Sequence, residues 1–270
     1  MKPYIAASSY LNTAPLCHSF VHGRQRDRCE FLSDAAPARC SELLAQGRAD
    51  AAMIPVIEYQ RITGLTVAPG ACVASKNRVR SVVLASRVPI RRVRRVSLDT
   101  SSRTSAALIK IILGQFYGLA PEYREAAPVL GEMLEHSDAA LIIGDPAMLI
   151  DRESLEVYDL AEEWKKHTGL PFVFAFWAIR TDSRAFGGAS HDTAAVDFAA
   201  AKIEGLDHVQ DIAADYSRRL ALPVEELVTY LTENISFDLD HDCLSGLRLY
   251  YELAMKSGLI ERAAEVRFSE

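Results

Sequence analysis

The densest hydrogen-bonding chemistry in the chain lies in seven consecutive residues, Asp99-Thr100-Ser101-Ser102-Arg103-Thr104-Ser105. They follow an apolar run, Val96 to Asp99, that reads as a strand, and precede Ala106 to Phe116, whose apolar residues Leu108, Ile111 and Ile112 have helical spacing. A helix start exposes unpaired N–H groups and partial positive charge, so hydroxyls gathered there form a receptor for carboxylate or phosphate. Ordinary capping needs one hydroxyl, whereas this turn supplies four in Ser101, Ser102, Thr104 and Ser105, so an anion site is expected. Arg103 reaches either the ligand or a neighbouring backbone carbonyl. A second polar turn, Ser9-Tyr10-Leu11-Asn12-Thr13, offers Asn12 as donor and acceptor together, with capping an equal alternative. Gly144-Asp145 ends the apolar run Ala139 to Ile143 and either orients a ligand hydroxyl or caps a helix entered at Pro146.

Other chemistries lose ground. The seven histidines, His18, His22, His136, His167, His191, His208 and His241, form no metal-ligating pattern and pair with no candidate nucleophile. The five cysteines, Cys17, Cys29, Cys40, Cys72 and Cys243, are scattered and odd in number, which predicts reduced, packed thiols. No glycine-rich phosphate loop occurs. A net charge of −6 excludes a general nucleic-acid binder, which needs a broad basic surface. The basic run Arg87, Arg91, Arg92, Arg94 and Arg95 reads as a solvated strand edge or as an attractor of anionic substrate. Met1 to Ala7 lacks the apolar core of a signal peptide and no apolar run is long enough to span a bilayer, so a cytoplasmic protein without membrane contact is expected.

These turns need strands and helices to hold them. Tyr4 to Ala7, Cys29 to Leu32 and Ala51 to Ile54 (ending at Pro55) read as strands, with a helix begun by Pro15 and another over Pro37 to Gln46 between them. That alternation implies a parallel sheet. Cys72 to Ser75 and Ser81 to Ser86 read as extended, after which a second alternation begins. Phe172 to Ile179 is an aromatic strand that returns the chain. Helical patterns follow from Ala194, including Pro223 to Thr232 and two pieces within Leu247 to Val266. Trp164, Phe172, Phe174 and Trp177 fall in apolar stretches and read as core rather than as ligand-stacking rings. The predicted fold is α/β with two lobes, one from 1–88 plus 176–270 and the other 89–175.

Several stretches jointly resemble the chorismate dehydratase family of the futalosine route to menaquinone. They are Tyr10 to Leu16, Ser81 to Ser86, Ser101 to Ser105, Ala139 to Asp145, Asp159-Leu160 with Trp164, and Thr168 to Ala175, in the family's order. The resemblance implies a two-lobed fold like the type 2 periplasmic binding proteins, with a ligand cleft between lobes. It implies elimination of water from chorismate to give 3-[(1-carboxyvinyl)oxy]benzoate, with no cofactor and no metal, by a monomer or homodimer. Transferred to this chain, it sets Ser9, Tyr10, Leu11, Pro55, Ser81, Ser101, Ser102, Thr104, Ser105 and Gly144 around the substrate, with Asn12 and Asp145 as catalytic residues. The proton goes either to Asp145 or to the substrate's enolpyruvyl carboxylate while Asn12 positions the leaving hydroxyl. Two rivals share the fold: a non-catalytic solute-binding protein for small anions, and the related lyase acting on a futalosine-derived nucleoside.

Overall fold

The computed structural model describes residues 2–34, 36–186 and 196–269. Strand β1 (Tyr4–Ser8) buries Ile5, Ala6 and Ala7 completely and leads through a 3-10 turn, Leu11–Thr13, into helix α1 (Ala14–Val21), whose first turn holds Pro15. β2 (Glu30–Asp34), α2 (Pro37–Ala45) and β3 (Ala51–Pro55) repeat the step, and β1 pairs in parallel with both β2 and β3. A second 3-10 turn, Val56–Gln60, leads to β4 (Leu65–Ser75). The chain then builds β5 (Val82–Ser86), β6 (Arg95–Asp99), α3 (Arg103–Ile111), β7 (Glu122–Ala126), α4 (Leu130–His136) and β8 (Ala139–Ile143). α5 (Asp145–Met148), β9 (Glu156–Asp159), α6 (Leu160–Thr168) and β10 (Phe172–Arg180) follow. Four helices close the described chain: α7 (Phe198–Asp207), α8 (Val209–Leu220), α9 (Val224–Thr229) and α10 (His241–Lys256). The helical pattern expected from Ala194 begins outside the described residues, as does His191.

The strands form two mixed sheets, ordered β2-β1-β3-β10-β4 and β7-β6-β8-β5-β9. In each, the parallel strands send their following loops to the same end, and the loops after β1, β2 and β3 meet those after β6 and β8 across a cleft. By pairing, β5 belongs to the second sheet and all of β10 to the first. The chain therefore crosses between sheets within 76–81 and 169–171, earlier than the lobe limits at 89 and 176 drawn from the sequence. A short apolar strand such as β5 does not reveal its partner by pattern; its antiparallel pairing with β8 decides it.

Three other expectations change. β4 begins seven residues before Cys72, because an edge strand tolerates Pro69 and Gly70, the latter at φ +73°. The helix expected from Ala106 starts at Arg103, and its last five residues, Ile112–Phe116, widen into a π turn. Residues 247–266 are not two helical pieces. α10 starts earlier, where the Asp240 carboxylate accepts the Cys243 N–H (2.8 Å), and it stops before Gly258, at φ +69°. Beyond that glycine the Gln60 amide takes both the N–H and the carbonyl of Ala264, at 2.7 and 2.8 Å, and Phe268 bridges to Val67, so the segment runs along β4.

β10 is buried on both faces. Trp177 packs edge-on against Phe20 and tilts over Phe198, while Phe172 meets Trp164 and Tyr250 edge-on. The Trp164 indole donates to the Pro171 carbonyl at 3.1 Å. All five cysteines are buried and free, and burial pushes the thiols up, Cys29 to about 11. α7 comes so close to α1 that a Cβ on Gly205 would lie 1.7 Å from the Pro15 carbonyl oxygen. Gly205→Ala should therefore lower the unfolding free energy by about 2 kcal/mol or more, read by chemical denaturation; unchanged stability would show that the two helices are not held this closely.

Candidate active site

A cavity of about 50 Å³ lies where the two sets of loops meet. β1 and the turn after it contribute Ser8, Tyr10, Asn12 and Thr13; the start of α3 contributes Ser102, Thr104 and Ser105. Met53, Val73, Val82, Ile143 and Phe174 supply apolar walls, completed by Pro37, Pro55, Gly144 and Ala175. Among the described residues, none lining the cavity carries a formal charge. Its polarity comes from hydroxyls, the Asn12 amide and the positive dipole end of α3, which favours an anion.

The hydroxyl-rich turn divides its work. Asp99 fixes the turn by taking the Ser101 N–H (2.8 Å) and hydroxyl (2.6 Å) on one carboxylate oxygen, while its other oxygen is buried without a partner. Ser102 caps α3 by accepting the Ser105 N–H at 3.3 Å. Thr104 accepts the Ile57 N–H from the opposite lobe at 3.2 Å. Capping and cavity lining thus coexist in one turn. Across the cleft, the Thr13 hydroxyl lies 2.7 Å from the Ser8 carbonyl and 2.8 Å from that of Tyr10, which winds residues 8–13 into a tight turn. Asn12 projects from it, its amide oxygen buried without a hydrogen-bond partner.

Of the residues singled out in the sequence, Tyr10, Asn12, Pro55, Ser102, Thr104, Ser105 and Gly144 line the cavity. Ser9, Leu11, Ser81, Ser101 and Asp145 lie behind its wall. The Ser9 carbonyl accepts the Tyr216 hydroxyl at 2.7 Å, and Ser9 faces a separate cavity of about 400 Å³ against α1 and α8, shared with His18 and His22. The Ser81 hydroxyl accepts from Tyr230 at 2.6 Å, leaving its neighbour Val82 to face the cavity. Asp145 takes the Leu11 N–H at 2.9 Å across the cleft. Gly144, at φ +66°, lets the Tyr10 ring rest on its backbone; a Cβ there would come within 2.8 Å of three ring carbons. Burial raises the Tyr10 phenol above its usual value, so it stays protonated. Sequence reading missed Ser8 and Thr13, though their place at a strand end beside Asn12 was a usable signal. The apolar wall residues had none, Phe174 included, which is buried and also faces the cavity. The basic run lies elsewhere: Arg95 begins β6, at the end of the strand opposite Asp99.

A family model described as menaquinone biosynthesis matches residues 3–256. The chain belongs to that family. A protein of Thermus thermophilus named chorismate dehydratase is 31% identical to this chain over 93% of it and 95% of the relative. Solved structures share the fold of this menaquinone-biosynthesis protein at low identity. One from Archaeoglobus fulgidus superposes with a TM-score of 0.75 at 18% identity, covering 96% of this chain and 98% of the other. The alkanesulfonate-binding protein of Xanthomonas axonopodis pv. citri does so with a TM-score of 0.70 at 14% identity, covering 98% and 96%. The fold is that of the periplasmic binding proteins. No helix among the described residues is long and apolar enough to cross a membrane.

In this family member Asp145 has an unusual setting. Burial raises its carboxyl from the usual 3.8 to about 6, against the opposing pull of the Leu11 N–H and Arg219. Between those values the folded protein binds the proton more tightly than the unfolded chain does. The group thus favours the fold below about pH 4, and that contribution is lost as pH rises through 6. Comparing unfolding free energies of the parent and Asp145→Asn across this range should show the parent losing up to about 3 kcal/mol relative to the variant; a difference independent of pH would mean that the carboxylate is not buried at the cleft.

Proposed function

We propose that this protein is a hydro-lyase that eliminates water from chorismate to form 3-[(1-carboxyvinyl)oxy]benzoate in menaquinone biosynthesis. The observation that carries the reading is the 31% identity to the Thermus thermophilus chorismate dehydratase across nearly the full length of both chains. The cavity supports it chemically. Chorismate is a dianion, and the α3 start, with Ser102, Thr104 and Ser105, offers one carboxylate a ring of donors. Met53, Val73, Val82 and Phe174 suit the faces of its ring and exclude water.

The reaction breaks the C3–H and C4–O bonds, forms the C3–C4 double bond, and leaves an aromatic ring and one water. Aromatisation drives it, so the protein need supply only orientation and proton transfer. The cavity wall offers no ionised base. Asp145 stands outside it with one carboxylate oxygen already bound to Leu11, and a further anion beside a dianion would be unfavourable. The enolpyruvyl carboxylate therefore takes the C3 proton in this reading and passes it to the departing C4 hydroxyl, which leaves as water, oriented by the Asn12 amide whose oxygen has no other partner. The reading carries with it action in the cytoplasm and no partner beyond chorismate except, for a homodimer, a second copy.

Purified protein incubated with chorismate, without added metal or nucleotide, should yield a product lighter by one water with an aromatic ultraviolet spectrum, followed by chromatography and mass detection. Unreacted chorismate would favour a binding protein or the related lyase. Asn12→Ala should reduce kcat by about 100-fold with KM little changed, and unaltered turnover would remove Asn12 from the chemistry.

A further inference from the structure

Arg103 opens α3, where the helix's partial positive charge opposes a cation. Its guanidinium reaches neither the cavity nor a backbone carbonyl. It forks instead between two carboxylates of the other lobe: Nη1 donates to Glu58 at 2.7 Å and Nη2 to Glu42 at 2.9 Å. Glu58 is 3% exposed on the turn after β3, and its second oxygen is held by Arg61 at 2.8 Å. Glu42 stands on α2. The fork therefore grips both first-lobe segments on the α3 side of the cavity, and neighbouring contacts follow the same seam. The Ala38 N–H donates to the Ser101 carbonyl at 3.3 Å, and the Ile57 N–H donates to Thr104.

The cavity's 50 Å³ is far below the roughly 300 Å³ at the lower end of small-molecule sites, so a metabolite enters only when the lobes part, this seam among their contacts. Neutral hydrogen bonds across it exchange with water at little net change. The charged fork does not, because parting leaves Arg103 alone at the positive end of α3 and deprives buried Glu58 of one of its two cations.

We propose that Arg103, with Glu58 and Glu42, is a positioning residue that draws the two lobes together over the substrate. What it closes upon rests on the dehydratase reading; the closure itself does not.

Arg103→Met in the full chain tests it. Without ligand, small-angle scattering should give the variant a larger radius of gyration than the parent, and saturating chorismate should restore the compact value. KM for chorismate should rise roughly tenfold with kcat kept within about threefold, since binding is diminished by the fraction of closed protein. Arg103→Lys, which keeps the charge and loses the fork, should fall between. Equal radii and equal KM would overturn the proposal, as would a fall in kcat at constant KM, which would put Arg103 on the reacting atoms. If Arg103→Met does not fold, Glu42→Gln should raise KM in the same direction by a smaller factor, and an unchanged KM overturns the clamp. If the parent leaves chorismate unreacted, the dehydratase reading fails, while the ligand-free scattering comparison still decides the clamp.

Discussion

A cavity without charged groups has only fixed hydroxyls, an amide and helix dipoles to make it polar, and that constraint organises the rest of this molecule. The first turns of α1, α2 and α3 border one uncharged cavity. They can do so because the parallel strands of each sheet deliver their loops to a common end. The turn holding Asn12 is braced from behind by Tyr216 and by the Thr13 hydroxyl, and the α3 start by the Asp99 carboxylate. Each brace fixes the backbone that carries a cavity-lining side chain, so the polar groups are oriented before a ligand arrives.

The same architecture serves proteins that bind and release unchanged ligands, and the likeness to an alkanesulfonate-binding protein is one of fold alone. A wall without ionised groups leaves the acid–base work to the ligand. Under the proposed reaction the ligand carries its own base and stands on the edge of aromaticity, so substrate choice and catalysis become one property.

Much of the fold was legible because the buried strands are short apolar runs bounded by polar turns. Ala139 to Ile143 was read to the residue, and the turn from Asp99 to Ser105 stood out by its hydroxyls between an expected strand and an expected helix. Edge strands β7 and β9 escaped notice because Glu122–Ala126 and Glu156–Asp159 are half polar and carry no buried apolar residue. Which hydroxyls face the cavity was not legible. Tyr230 claims Ser81 and Tyr216 claims the Ser9 carbonyl, from partners 149 and 207 residues away, and no local pattern announces such contacts. The partners of Arg103 were hidden for the same reason, since both carboxylates come from the opposite lobe.

The position of β10 bears on how the chain acquires this structure during synthesis. It lies inside the first sheet, between β3 and β4, yet every strand of the second sheet precedes it in the chain. As the polypeptide leaves the ribosome, the second lobe is an uninterrupted segment that can assemble as a unit, while the first waits with β3 and β4 separated by the gap their central neighbour must fill. The nascent first lobe therefore exposes two apolar strand edges for as long as the second takes to emerge, and that interval is when a chaperone would have most to protect.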